Sequence, residues 1–127
     1  MDVPADLLYS AEHEWVRTAG SGTLRIGITD YAQDALGDVV FIDMPKVGDV
    51  VSAGSTCGEI ESTKSVSEVY TPVSGTITAI NEALADDPAV LNTDPYGSGW
   101  IFEITPDEPA EVEALLDADA YRSITEG

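Results

Sequence analysis

The run Glu59-Ile60-Glu61-Ser62-Thr63-Lys64-Ser65-Val66-Ser67-Glu68-Val69-Tyr70 reads as a strand, a tight polar turn and a second strand. Glycines frame it almost evenly: Gly54 stands ten residues before Lys64 and Gly75 eleven after it. Val51-Ser52-Ala53-Gly54 and Pro72-Val73-Ser74-Gly75 echo each other on the two sides. A chain patterned this way folds back about Lys64 as two strand-turn-strand halves. Apart from Lys46, Lys64 is the only lysine in the sequence. A single ammonium on a hairpin tip does little chemistry by itself, but a group amide-bonded there would be exposed, tethered and free to swing.

The flanking sequence is also built of short strands. Glu14-Trp15-Val16-Arg17 and Thr23-Leu24-Arg25-Ile26-Gly27-Ile28 alternate polar and apolar residues around Ala19-Gly20-Ser21-Gly22, which predicts a hairpin. Thr29 or Asp30 can cap a helix through Leu36, and Gly37 stops it. Val39-Val40-Phe41-Ile42 predicts a buried strand, and further strands are expected at 47–51, 55–61, 68–71, 76–81 and 100–104. Residues 82–99, rich in Asp, Asn, Pro and Gly, predict a long ordered loop. Thr105-Pro106-Asp107-Glu108 predicts a helix start with Pro106 in its first turn. Val112, Leu115 and Leu116 then form a stripe that would dock on the sheet, and a second short helix is expected around Ala118–Ser123. The simplest architecture is a small sandwich or flattened barrel with helix packed outside: one domain over 1–127, its β core about 14–104 and its helical segment about 106–123.

Charge narrows the function. Twenty-four acids against five Lys plus Arg give a formal net charge of −19. Nucleic acid is excluded as a partner, because phosphate contacts need clustered cations, and Arg17, Arg25, Lys46, Lys64 and Arg122 are scattered. The acids are spread over the whole chain, which suits adaptation to a salty medium where repulsion is screened. No apolar run approaches the ~20 residues of a membrane span. The acidic, proline-broken Met1–Asp6 resembles neither a secretory signal nor a transit peptide, and the single Cys57 suits a reducing cytoplasm. Cys57 is expected as a small buried side chain.

No catalytic constellation is visible. His13 is the only histidine, so neither a histidine zinc cluster nor a Ser-His-Asp set has support. Gly20-Ser21-Gly22 precedes a strand, whereas the dinucleotide fingerprint requires a helix there. We therefore expect no catalytic residue and no metal.

A set of short stretches in one order carries a family resemblance: Glu12-His13-Glu14-Trp15-Val16, Gly27-Ile28-Thr29-Asp30-Tyr31-Ala32-Gln33, Leu36-Gly37-Asp38-Val39-Val40-Phe41, Glu61-Ser62-Thr63-Lys64, Pro72-Val73-Ser74-Gly75, Asn81-Glu82-Ala83-Leu84, Leu91-Asn92 and Pro95-Tyr96-Gly97-Ser98-Gly99-Trp100. Together they resemble the H proteins of the glycine cleavage system. The glycine-framed lysine hairpin alone would equally suit a lipoyl or biotinyl domain, but biotinyl domains usually flank the lysine with methionines, and here the neighbours are Thr63 and Ser65. The resemblance implies a mainly β barrel-sandwich hybrid of the lipoyl/biotinyl type with a short internal helix and a C-terminal helix. It implies lipoate bound covalently to Lys64, and a carrier with no catalysis of its own.

The partners so implied are glycine decarboxylase, which loads an aminomethyl group, aminomethyltransferase, which unloads it, and dihydrolipoyl dehydrogenase, which reoxidises the dithiol. A lipoate ligase or transferase would attach the cofactor. Glu14, His13 and Glu68 become candidates for the surface cleft that holds the loaded arm, a carboxylate being the right partner for a cationic aminomethyl nitrogen. The alternative function is a lipoate relay that donates the cofactor to other lipoyl-dependent enzymes.

Overall fold

The computed structural model describes residues 2–20 and 22–126. After a short strand β1 (Leu8–Tyr9), β2 (Glu14–Thr18) and β3 (Leu24–Ile28) form the expected antiparallel hairpin, with Val16 opposite Ile26 and Trp15 opposite Gly27. Ser21 of its predicted turn lies outside the described residues. Thr29 caps α1 (Asp30–Leu36), its Oγ1 accepting the Ala32 N–H at 3.2 Å, and Gly37 ends the helix at a φ of 80° that disfavours a side chain.

β4 (Val39–Asp43) departs from the buried strand expected there. Val40 is 49% and Phe41 56% exposed, because a register shift between Val39 and Phe41 turns those side chains out of the core. Val47–Asp49 form a turn instead of a strand, leaving only the two-residue β5 (Val50–Val51). β6 (Thr56–Ser62) and β7 (Val66–Tyr70) make the central hairpin, and β8 (Gly75–Ile80) follows. The echoing segments lie against each other: Val51 pairs with Gly75, and Ala53 N–H donates to Ser74 Oγ at 2.9 Å.

Residues 82–99 contain two single-turn helices, α2 (Ala83–Asp86) and α3 (Val90–Thr93), where one loop was expected. Leu84 and Leu91 are buried and supply the packing that local propensity lacks in so short a helix. β9 (Phe102–Pro106) ends at the proline expected to open a helix. Pro109 takes that place, at the start of α4 (Pro109–Glu113), and α5 (Ala118–Glu126) follows.

The strands form two antiparallel sheets, one in the order β1-β2-β3-β9-β8-β5 and the other β4-β6-β7. The fold is mainly β and of the barrel-sandwich kind. Val16, Ile26, Ile60, Val69, Ile77, Phe102 and Ile104 belong to one continuous buried cluster. Each such side chain contributes roughly 1.5–3 kcal/mol by leaving water. A second cluster joins Val3, Leu7, Tyr9 and Trp15 to Ala118 and Tyr121, and so fastens α5 to the sheet edge. Among the described residues no helix is long and apolar enough to cross a membrane.

Candidate functional site

Lys64 is exposed at the tip of the β6–β7 hairpin. The turn beneath it is organised by Ser62, which is buried: its Oγ accepts from Lys64 N at 3.3 Å and Ser65 N at 3.1 Å, and donates to Ser65 O at 3.1 Å. Thr63 N–H donates to Asp38 O at 3.0 Å, pinning the tip to the corner between α1 and β4. Gly37 sits in that corner, and a Cβ there would come within 3.0 Å of Lys64 Cε. The lysine stem thus lies over a residue with no side chain to obstruct it. Neither lysine forms an ion pair among the described residues. Lys46 occupies a separate turn, its N–H donating to Asp49 Oδ2 at 3.0 Å.

Beside the tip opens a cleft of about 310 Å³, lined by His13, Glu14, Tyr31, Ser65, Val66 and Glu68 among others. The structure therefore brings together His13, Glu14 and Glu68, and the cleft wall starts at the residue that follows Lys64. Their environments differ sharply. Glu14 is 2% exposed, so it is no ordinary surface acid. Burial pushes its carboxyl up to about 8, against hydrogen bonds from Ser10 and the Tyr70 backbone that pull it down, and nearby Glu12 adds to the rise. Ser10 Oγ donates to Glu14 Oε1 at 2.6 Å and also accepts from Glu14 N at 3.2 Å.

Glu68 is exposed, and its Oε2 accepts from Tyr70 OH at 2.9 Å and Thr56 Oγ1 at 3.2 Å. The bond from Tyr70, reinforced by the Glu68 charge, raises the Tyr70 phenol. His13 is half-buried and is the only described residue other than glycine with a positive φ, 69°. Burial lowers its pKa, with Glu12 opposing.

Three residues that sequence reasoning gave no role at the site support this arrangement. Gly37 clears the lysine stem. Asn92 Oδ1 accepts from Val39 N at 2.9 Å, while its Nδ2 donates to Gly37 O at 2.8 Å and Gln33 Oε1 at 3.1 Å. Tyr121 OH lies 2.7 Å from both His13 Nδ1 and Thr29 Oγ1. A signal for Tyr121 was present, because it is the one aromatic in the acidic, alanine-rich tail after residue 106.

A larger hollow of about 420 Å³, lined by Asp43, Asp49, Thr56, Cys57 and Glu59 among others, holds none of the predicted site residues. Cys57 is buried there as expected, and burial, with Glu14 nearby, pushes its thiol up to about 12 and so leaves it unreactive. Among the described residues no group of three or more His, Cys, Asp or Glu could hold a metal ion.

The hairpin tip fits a lysine-linked group: the amine is free, its stem is unobstructed, and the adjoining cleft offers a part-apolar wall with carboxyls at hand. The family model described as Glycine cleavage H-protein matches residues 7–127. The chain is 56% identical over 124 residues to a glycine cleavage system H protein of Micrococcus luteus, covering 97% of each chain. It is 55% identical over 125 residues to one of an Enterobacter species, covering 98% of this chain and 97% of that one. The crystal structure of a glycine cleavage system H protein from Mycobacterium marinum superposes with a TM-score of 0.89 at 45% identity, over 98% of this chain and 100% of that one.

Proposed function

The chain belongs to the glycine cleavage H-protein family, and from that premise we propose that Lys64 is the residue to which lipoate is covalently attached. Its role is that of the family: a lipoyl carrier in the glycine cleavage system, without catalysis of its own. The observation that carries the assignment of Lys64 is its position, exposed on a turn held by Ser62 and Asp38 and opening onto a cleft. When bound, the lipoyl group supplies a dithiol–disulfide couple and a sulfur on which a one-carbon amine can be carried.

The protein's own residues do the rest. Ser62 fixes the turn that presents the amine. Ser65 and Val66 form the near wall of the cleft, and Glu14, His13 and Glu68 offer its polar contacts. Glu14 is the counter-ion for a cationic cargo amine: buried and uncharged while the cleft is empty, it gives up its proton when a positive charge arrives beside it. Glu68 holds a second carboxylate at the rim. The partners are the enzymes that load, unload and reoxidise the arm, namely glycine decarboxylase, aminomethyltransferase and dihydrolipoyl dehydrogenase, together with a lipoate ligase or transferase. The family match over residues 7–127 supports one carrier domain, and a single cysteine suits a reducing cytoplasm.

The test is peptide mass mapping after expression with a lipoate ligase. The lipoyl mass is expected on Lys64 alone, and Lys64→Arg should abolish it with the thermal transition unchanged. The lipoyl mass on Lys46, or on neither lysine, would overturn the assignment.

A further inference from the structure

Three residues from distant parts of the chain close a hydrogen-bonded ring behind the cleft. Thr29 N–H donates to His13 O at 3.1 Å, and the Tyr121 hydroxyl joins Thr29 Oγ1 to His13 Nδ1 at 2.7 Å on each side. Thr29 and Tyr121 are both 0% exposed, so bulk solvent does not reach their hydroxyls. Counting protons leaves one arrangement. Thr29 Oγ1 already accepts from Ala32 N. If Nδ1 carried a proton it would donate to the Tyr121 oxygen, Tyr121 would donate to Thr29, and the Thr29 proton would have no acceptor in a buried site. An orphaned buried donor is disfavoured. Every group is satisfied when Thr29 donates to Tyr121 and Tyr121 donates to Nδ1. His13 is then a neutral imidazole protonated on Nε2. That nitrogen has no hydrogen-bond partner among the described residues and, since no buried side-chain nitrogen or oxygen there is left unsatisfied, it is open to solvent.

We propose that Tyr121 is a positioning residue for the cleft: by occupying the Nδ1 lone pair, it keeps His13 neutral and presents an N–H, with no free base, to whatever the cleft holds. This rests on the carrier reading above. A labile aminomethyl cargo is lost to water as formaldehyde and ammonia, and an imidazole with a free lone pair beside it is a general base for that loss. A protonated imidazole would instead set a second cation beside the cargo amine. The lock avoids both. The ring is held on its buried sides: its backbone is fixed at a φ of 69°, its face stacks on Tyr31 at 4.6 Å, and Tyr121 stacks on Tyr9 at 4.7 Å. The titratable acids around it are Glu12 and the buried Glu14, its neighbours in the chain, and Glu68, which lines the same cleft. The lowered His13 pKa agrees with a neutral ring.

Nitrogen-15 NMR of the histidine ring tests the lock on unlipoylated protein, independently of Lys64. At pH 7 the wild type should show a protonated Nε2 and an unprotonated Nδ1, and Tyr121→Phe, which retains the Tyr9 stack, should shift the tautomer ratio by roughly fivefold to tenfold, as one neutral hydrogen bond allows. A protonated Nδ1 in the wild type, or a ratio unmoved in Tyr121→Phe, would overturn the lock. On lipoylated protein charged with the aminomethyl cargo, Tyr121→Phe should release formaldehyde at least about threefold faster, a modest share of the gain general-base catalysis can give. Equal rates with the tautomer shifted would overturn the protective role. Failure of both proteins to charge would instead refute the carrier reading and leave the NMR result standing.

Discussion

Asn92 and Gly37, 55 residues apart in sequence, are joined by a hydrogen bond of 2.8 Å from Asn92 Nδ2 to Gly37 O. With Val39 N–H donating to Asn92 Oδ1, the amide spans the corner between α1 and β4 to which the Lys64 turn is pinned through Asp38. Asn92 therefore belongs to the presentation of the lysine as much as to the fold.

Asn92→Ala should remove three hydrogen bonds and strand the Val39 amide, costing about 2 kcal/mol. For a chain of this size that lowers the thermal midpoint by roughly 7 °C. The consequence specific to presentation is faster amide hydrogen exchange at Thr63, whose N–H bonds to Asp38 O. Exchange at Thr63 equal to that of the wild type would show that the corner holds without Asn92.

Local signals carried the central hairpin and α1: a polar turn between alternating strands, a threonine cap and a glycine stop all act within a few residues. What sequence left hidden depends on distant partners. The resemblance put Glu14 at the cleft, but its burial, with Ser10 against its carboxyl, is a tertiary property that formal charge does not show. Nothing local marks Val40 and Phe41 as outward, since that follows from the bulge against β6. The helices at 83–86 and 90–93 are too short to show a period, and Pro106 and Pro109 compete for one motif until β9 takes the first. The tie from Tyr121 to His13 crosses 108 residues, a separation that no pattern reading reaches.

The −19 net charge has a definite register on the three-stranded sheet. Asp43 lies opposite Glu59, and Glu59 opposite Glu68, so three exposed carboxylates form one row. Like charges directly opposite cost roughly 0.2–1 kcal/mol per pair. The thermal midpoint should rise by several degrees between low and molar KCl, as the Debye length falls from about 30 Å to about 3 Å. Glu59→Gln, which removes the shared middle charge, should raise the low-salt midpoint and shrink the gain from salt. A midpoint that is flat or falls with KCl would refute salt adaptation and leave the charge to partner steering.

Glu14 gives the stability of the protein a pH dependence of predictable sign. Its carboxyl binds a proton in the folded state up to about pH 8, whereas the ordinary value is 4.5. Because the folded pKa is raised, this contribution is whole below about pH 4.5, declines as pH rises and is lost above about pH 8. At about 1.4 kcal/mol per unit, the full swing is at most about 4–5 kcal/mol. Glu14→Gln keeps a neutral acceptor for the Ser10 hydroxyl and has no proton to lose, so its stability should stay level where the wild type declines. Urea unfolding at pH 5.5, 7 and 9 should show the two proteins diverging by several kcal/mol, with the variant the more stable at pH 9. Taking the difference between them cancels the other acids and Cys57, whose thiol, held up to about 12 by burial, ionises near 9 in the unfolded chain of both proteins alike. Parallel curves would mean that the carboxyl is already ionised in the empty cleft. Glu14 would then meet a cationic cargo as a standing carboxylate, with no proton to release on its arrival.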